Sequence, residues 1–126
     1  MTRMRRLARF GPAAGRAAVA AAFVLAAWGK LSGAPEAVAI FDALGAGSGM
    51  RQLTGALELT GAALLLWKCG RALGILLLGA VMVGAIAAHL GPVPGSPFVP
   101  AVLLLILVVL GRTELRRVTD HRRPTG

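Results

Sequence analysis

The sequence predicts an all-α integral membrane protein, a four-helix bundle with a short interfacial helix between spans one and two. Three observations carry this. Hydrophobic residues make up 56% of the 126-residue chain and charged residues only 15%, too apolar for the surface of a water-soluble domain of this size. The charges gather at residues 2–16, 68–71 and 112–123. Between them run long charge-poor stretches, the distribution of membrane spans and their flanks.

Four spans follow in chain order, at about 13–31, 53–67, 72–90 and 98–111. The third has 17 residues without an ionisable side chain between Arg71 and His89, close to the ~20 that cross a ~30 Å hydrocarbon core. The fourth, "PFVPAVLLLILVVLGR", is short. It spans if Pro97 and Pro100 occupy the first turn, where a missing N–H costs little, and if the helix runs on into "RTELRRV". Between spans one and two, "APEAVAIFDALGAGSGM" predicts a short amphipathic helix. Pro35 suits its first turn, Ala37, Ile40, Phe41 and Leu44 fall on one face, and glycines 45, 47 and 49 end it. That face serves either the outer membrane surface or a place over the bundle mouth. The turn "GPVPGSP", at 91–97, joins spans three and four.

Orientation follows from counting Lys and Arg. The first tail holds Arg3, Arg5, Arg6, Arg9 and Arg16, the second loop Lys68 and Arg71, and the last tail Arg112, Arg116, Arg117, Arg122 and Arg123. Only Lys30 and Arg51 fall toward the other side, so the positive-inside bias predicts an even number of spans with both termini cytoplasmic. Residues 1–12 and 112–126 are then basic cytoplasmic tails flanking a membrane domain at 13–111. A cleaved signal peptide over residues 1–34 fits the Arg-rich start but is disfavoured by Pro35 directly after "SGA". Trp28 and Trp67, one near each face, suit interfacial anchors.

Three ionisable residues interrupt the apolar runs. With a rise of ~1.5 Å per residue, Glu58 lies ~15 Å in from Lys68, near the bilayer midplane; Lys30 lies ~21 Å in from Arg16 and His89 ~27 Å in from Arg71. A lone charge at the membrane centre costs ~2.5 to 3.5 kcal/mol on insertion scales, and pairing relieves that cost. Facing supports a cluster. Lys30 continues the row Ala18, Ala22, Ala26; Glu58 shares a face with Thr54 and Ala62; His89 lies beside the row Ala80, Gly84, Ala88. Such rows of small residues let membrane helices approach. The reading predicts that Glu58 pairs with Lys30, with His89 or Arg51 capping the outer end, in a cluster that either does chemistry or fixes helix register.

The segments "AAFVLAAWGKLSG", "FDALG", "LTGALELTGAALLL" and "GAVMVGAIAAHLGP" together resemble the DoxX-like family of small four-helix bacterial membrane proteins. The resemblance covers roughly residues 21–111. It places Lys30, Glu58 and His89 at the family's polar positions and implies a bacterial inner-membrane location. Its founding member is linked to a thiosulfate to quinone oxidoreductase, which implies an auxiliary subunit of a quinone- or sulfur-linked redox system and brings quinone in as the candidate ligand, with a soluble oxidoreductase as partner. The alternative is a non-enzymatic assembly partner or small-solute carrier. A carrier of this size would need at least a homodimer.

The residues narrow the chemistry further. Cys69 is the single cysteine, so a thiol relay within the chain is excluded. His89 and His121 fall on opposite faces and do not form a haem ligand pair. No metal-ligand spacing, phosphate loop or nucleophile motif is present in the sequence. The net charge of +9 is accounted for by topology and by anionic lipid headgroups rather than nucleic acid. The expected protein is an accessory subunit with no bound cofactor or metal of its own, more than a self-sufficient enzyme.

Overall fold

The computed structural model describes the backbone of residues 2–122 and the side chains of residue 11 and residues 13–120. Five helices form among them: α1 (Thr2–Ser32), α2 (Pro35–Ala43), α3 (Gly47–Leu66), α4 (Arg71–Leu90) and α5 (Phe98–Arg122), with no strand among the described residues. The protein is all-α. Residues 2–12 and 112–122, expected as tails, continue α1 and α5 as helix. The side chains of Arg3, Arg5, Arg6, Arg9, His121, Arg122 and Arg123 lie outside the described residues.

Local sequence explains where the helices stop. Gly33 takes φ of 77°, which only glycine adopts freely, and lets the N–H of Ala34 reach back to the carbonyl of Gly29 at 2.9 Å. Gly45, at φ 68°, does the same for α2, with the N–H of Ala46 on the carbonyl of Phe41 at 3.0 Å. Pro35 opens α2 at its first turn. α5 starts at Phe98, whose N–H is taken by the Ser96 hydroxyl at 3.2 Å, and Pro100 falls in its first turn. The helix then runs through "RTELRRV", so the short fourth apolar run belongs to a 25-residue helix.

Three segments are long and apolar enough to cross a membrane: Ala13–Ser32, Arg71–Leu90 and Phe98–Asp120. α3 has 20 residues, as many as α4, but Arg51, Gln52 and Glu58 make it more polar than these three segments. The solvent-facing pattern is inverted relative to a soluble protein. Leu25, Leu76 and Leu90 are more than 70% exposed while Glu58 is 1% exposed, an arrangement that water would oppose and a bilayer favours. This is a membrane protein.

α1 packs on α3, α3 on α4 and α4 on α5, while α1 and α5 touch only lightly. The α1–α4 and α3–α5 pairs do not meet among the described residues, and α2 lies on α3 with a smaller contact to α1. Phe23, Leu65, Leu78 and Leu107 fill the core with Val19, Ala20, Ala62 and Met82. The interhelical faces differ in part from those expected. Glu58 does share a buried face with Ala62, but Ala18, Ala26, Ala80 and Gly84 are exposed. α1 instead buries the row Val19, Phe23, Ala27, and α4 the row Gly74, Leu78, Met82. Phe23, Leu78 and Met82 on those rows interlock with Leu65 and Leu107 of the neighbouring helices, and close packing carries helix association in a membrane. Close approach falls to two other glycines. A Cβ on Gly74 would lie 2.7 Å from the backbone nitrogen of Leu65 and 2.8 Å from the carbonyl oxygen of Gly61, and one on Gly61 would lie 2.7 Å from the Leu78 side chain.

The α3–α4 seam therefore tolerates no side chain at 74. Gly74→Ala forces two backbones apart and should lower thermal stability in detergent by about 1–3 kcal/mol or more. Gly79→Ala, whose Cβ would meet only Leu104 at 3.9 Å, should be neutral or stabilising by up to about 1 kcal/mol through helix propensity. Equal unfolding midpoints for the two variants would contradict this packing.

Candidate functional site

The site starts with a glycine. Gly55 is buried on α3, one turn before Glu58, and a Cβ there would lie 3.0 Å from Leu31 Cγ and 3.1 Å from Lys30 Cβ. Its missing side chain lets the end of α1 settle on α3. Lys30 Nζ then reaches the Glu58 carboxylate, 2.9 Å from Oε1 and 3.2 Å from Oε2. The pair is asymmetric. The Glu58 side chain is 1% exposed and that of Lys30 21%, so the acid is sealed inside while the longer base comes in from the edge.

Arg51 supports this arrangement from the side. Its guanidinium donates to the carbonyl oxygen of Lys30, one of the carbonyls a helix leaves without an intrahelical partner at its C-terminus. A cation there also opposes the negative end of the helix dipole. Arg51 makes no hydrogen bond or ion pair with Glu58 among the described residues. It caps the C-terminal backbone of α1, not the carboxylate.

His89 comes from the last turn of α4. It is not in hydrogen-bonding contact with Lys30 or Glu58, and its Nδ1 is buried without a partner among the described residues. What unites the three is a cavity of about 390 Å³, lined by Lys30, Glu58 and His89 and otherwise mostly by apolar side chains such as Phe23, Met82 and Leu103. Small residues leave this space open. Ala26, Gly84, Ala85 and Ala88 line it, and a Cβ on Gly84 would meet nothing within 4 Å. Ala26, Gly84 and Ala88, from the rows the sequence offers as packing faces, thus border the cavity. Ile40 and Phe41 of α2, with Leu44 just after it, close one side, and Ala37 and Phe41 are buried, so the apolar face of α2 turns toward the other helices.

A second ion pair was not visible in the sequence reading. Arg71 Nη1 lies 3.4 Å from Glu114 Oε2, tying the start of α4 to α5. Arg71 had been fully explained by charge topology. The signal that would have found the pair is Glu114 itself, the one acid between Phe98 and Thr119, set among arginines. Cys69 is exposed and free. No group of three or more His, Cys, Asp or Glu residues able to hold a metal ion occurs among the described residues.

The family model for the DoxX-like family matches residues 15–110, a span that takes in Lys30, Arg51, Glu58 and His89. The chain belongs to the DoxX-like family. No curated protein and no solved structure matches it. The matched region of this DoxX-like protein covers the whole cavity and the Lys30–Glu58 pair, and ends before Glu114.

The asymmetry of the pair sets the mutational pattern. Lys30→Met strands a carboxylate that is sealed from solvent and should cost on the order of 3 kcal/mol. Glu58→Leu strands only a partly exposed ammonium that can turn outward, and should cost less. The double variant Lys30→Met with Glu58→Leu should recover most of the loss, because an apolar pair needs no partner. Unfolding midpoints in detergent test this, and simple additivity of the two single losses would contradict a direct pair.

Proposed function

We propose that this DoxX-like protein is an accessory inner-membrane subunit of a quinone- or sulfur-linked redox system. In this reading α1, α3, α4 and α5 form a four-span bundle with both termini cytoplasmic, and α2 lies at the outer surface over the cavity mouth. The cavity receives a quinone head group from the bilayer. One observation carries this: the Lys30–Glu58 ion pair and His89 line one otherwise apolar cavity of about 390 Å³, within the ~300–1,000 Å³ of ligand pockets.

The donor set suits a ring that carries two carbonyl oxygens. The Lys30 ammonium donates to one, and the His89 imidazole at the cavity wall donates to the other. Glu58 balances the Lys30 charge and stands within reach of a proton that Lys30 gives up. Phe23, Met82 and Leu103 cover the faces of the ring and exclude water. A quinone bound there would supply two-electron, two-proton chemistry. The electrons come from a soluble oxidoreductase partner, because a single exposed thiol at Cys69 cannot cycle as a dithiol.

The non-enzymatic reading, an assembly partner or small-solute carrier acting as a homodimer, draws on the other half of the geometry. Arg51 on the Lys30 carbonyl and Lys30 on Glu58 bind α1 to α3 whether or not a ligand is present. Titration of the purified protein with a short-chain quinone separates the two. The quinone reading expects saturable binding that weakens at least tenfold, about 1.4 kcal/mol, in both Glu58→Gln and Gly84→Leu. The leucine fills empty space without touching the pair. Absence of saturable binding, or binding unchanged in both variants, contradicts it and leaves the pair as a helix clamp.

A further inference from the structure

Around the first turn of α4, far along the helices from the cavity, lies a cluster the proposed function does not use. Arg71 is 8% exposed and bonded to Glu114, yet its Nε is buried with no acceptor among the described residues. Arg16 lies within Coulomb reach of Arg71, Arg117 and Glu114. Arg16 and Arg117 thus add positive charge beside the Arg71–Glu114 pair. Glu114 also borders a groove of about 380 Å³ between α4 and α5, whose other walls are Ala72, Ile75, Leu76, Gly111, Leu115 and Val118. Those walls are apolar throughout.

A strip of apolar wall ending in surplus guanidinium charge matches one kind of molecule: an apolar chain with an anion at its end. Guanidiniums bind phosphate oxygens strongly and with fixed geometry, and basic clusters at helix ends attract anionic headgroups. We infer that this end of the protein is a binding site for an anionic phospholipid, with an acyl chain in the α4–α5 groove and the phosphodiester at Arg16, Arg71 and Arg117. The phosphodiester supplies acceptors for the more accessible guanidiniums of Arg16 and Arg117. It also fills the seam where α5, which meets α1 only lightly, is held mainly by α4.

Gly111 provides a test that leaves the ion pair alone. A Cβ there would meet only Ile75 Cγ2, at 3.5 Å, so Gly111→Leu places its side chain in the groove without displacing a backbone. Native mass spectrometry of the full chain, mixed with phosphatidylglycerol or phosphatidylcholine, reads retention directly. Phosphatidylglycerol should be retained over phosphatidylcholine, and the preference should fall roughly tenfold or more in Arg16→Gln with Arg117→Gln. Gly111→Leu should reduce retention of phosphatidylglycerol as well, and inorganic phosphate should not displace it. Equal retention of the two lipids, a preference unchanged in both variants, or displacement by inorganic phosphate would overturn the assignment.

Discussion

A carboxylate that cannot reach water must find a cation, and in this protein that requirement fixes how α1 lies on α3. Glu58 is sealed, so Lys30 has to come to it. For Lys30 to arrive, position 55 must have no side chain, since a Cβ there would press on Lys30 and Leu31. For the end of α1 to stay in place once its helix has stopped at Gly33, its last carbonyls need a donor, and Arg51 supplies one. Each of these residues answers a condition set by the one before it. Shifting α1 by a residue along its axis moves Lys30 by ~1.5 Å and turns it by ~100°, which would break the contact.

Three seams hold the long helices in sequence, and they use two kinds of physics. The α1–α3 and α4–α5 seams each contain an ion pair, Lys30–Glu58 and Arg71–Glu114. Among the described residues the α3–α4 seam between them has neither an ion pair nor a side-chain hydrogen bond, and Gly61 and Gly74 fit there against Leu78 and the facing backbone. Membrane helices gain little from burying apolar area, because lipid is as apolar as leucine, so close packing and polar contacts carry their association. The cavity is the counterpart of this economy. Where α1 and α4 face each other across the centre without meeting, small residues leave room, and the polar groups of Lys30, Glu58 and His89 border that room.

The membrane character, the helix ends and α2 were legible because each rests on local signals: charge-poor runs, glycines at helix stops, and Pro35 at a first turn. Glu58 and Lys30 were legible as partners because depth and facing can be counted along a helix. The packing faces were harder. Rows of small residues at i, i+4 suggest close approach, but which row is used depends on what the neighbouring helix presents, and here Leu78 meets Gly61 while Ala18 and Ala80 face outward. The Arg71–Glu114 pair was hidden for a similar reason. Its members are 43 residues apart, and a basic residue at a membrane boundary already has a sufficient explanation in charge topology. The sequence offers Arg51 or His89 as a cap on the cluster; that Arg51 holds the α1 backbone was not legible, since a helix terminus presents unpaired carbonyls that sequence patterns do not display.

The contact between Lys30 and Glu58 can be measured without altering either residue. The chain has two lysines, Lys30 and Lys68, so Lys68→Arg leaves one side-chain ammonium in the lysine set. Solid-state NMR of that protein in lipid bilayers, with ¹⁵N in lysine side chains and ¹³C in glutamate carboxyls, reads their dipolar coupling. The structure predicts a strong coupling between a single lysine nitrogen and a single glutamate carboxyl, matching an oxygen 2.9 Å from Nζ. No coupling above that of separated groups would show that the helices are not joined there, and the cavity as described would lose its polar wall.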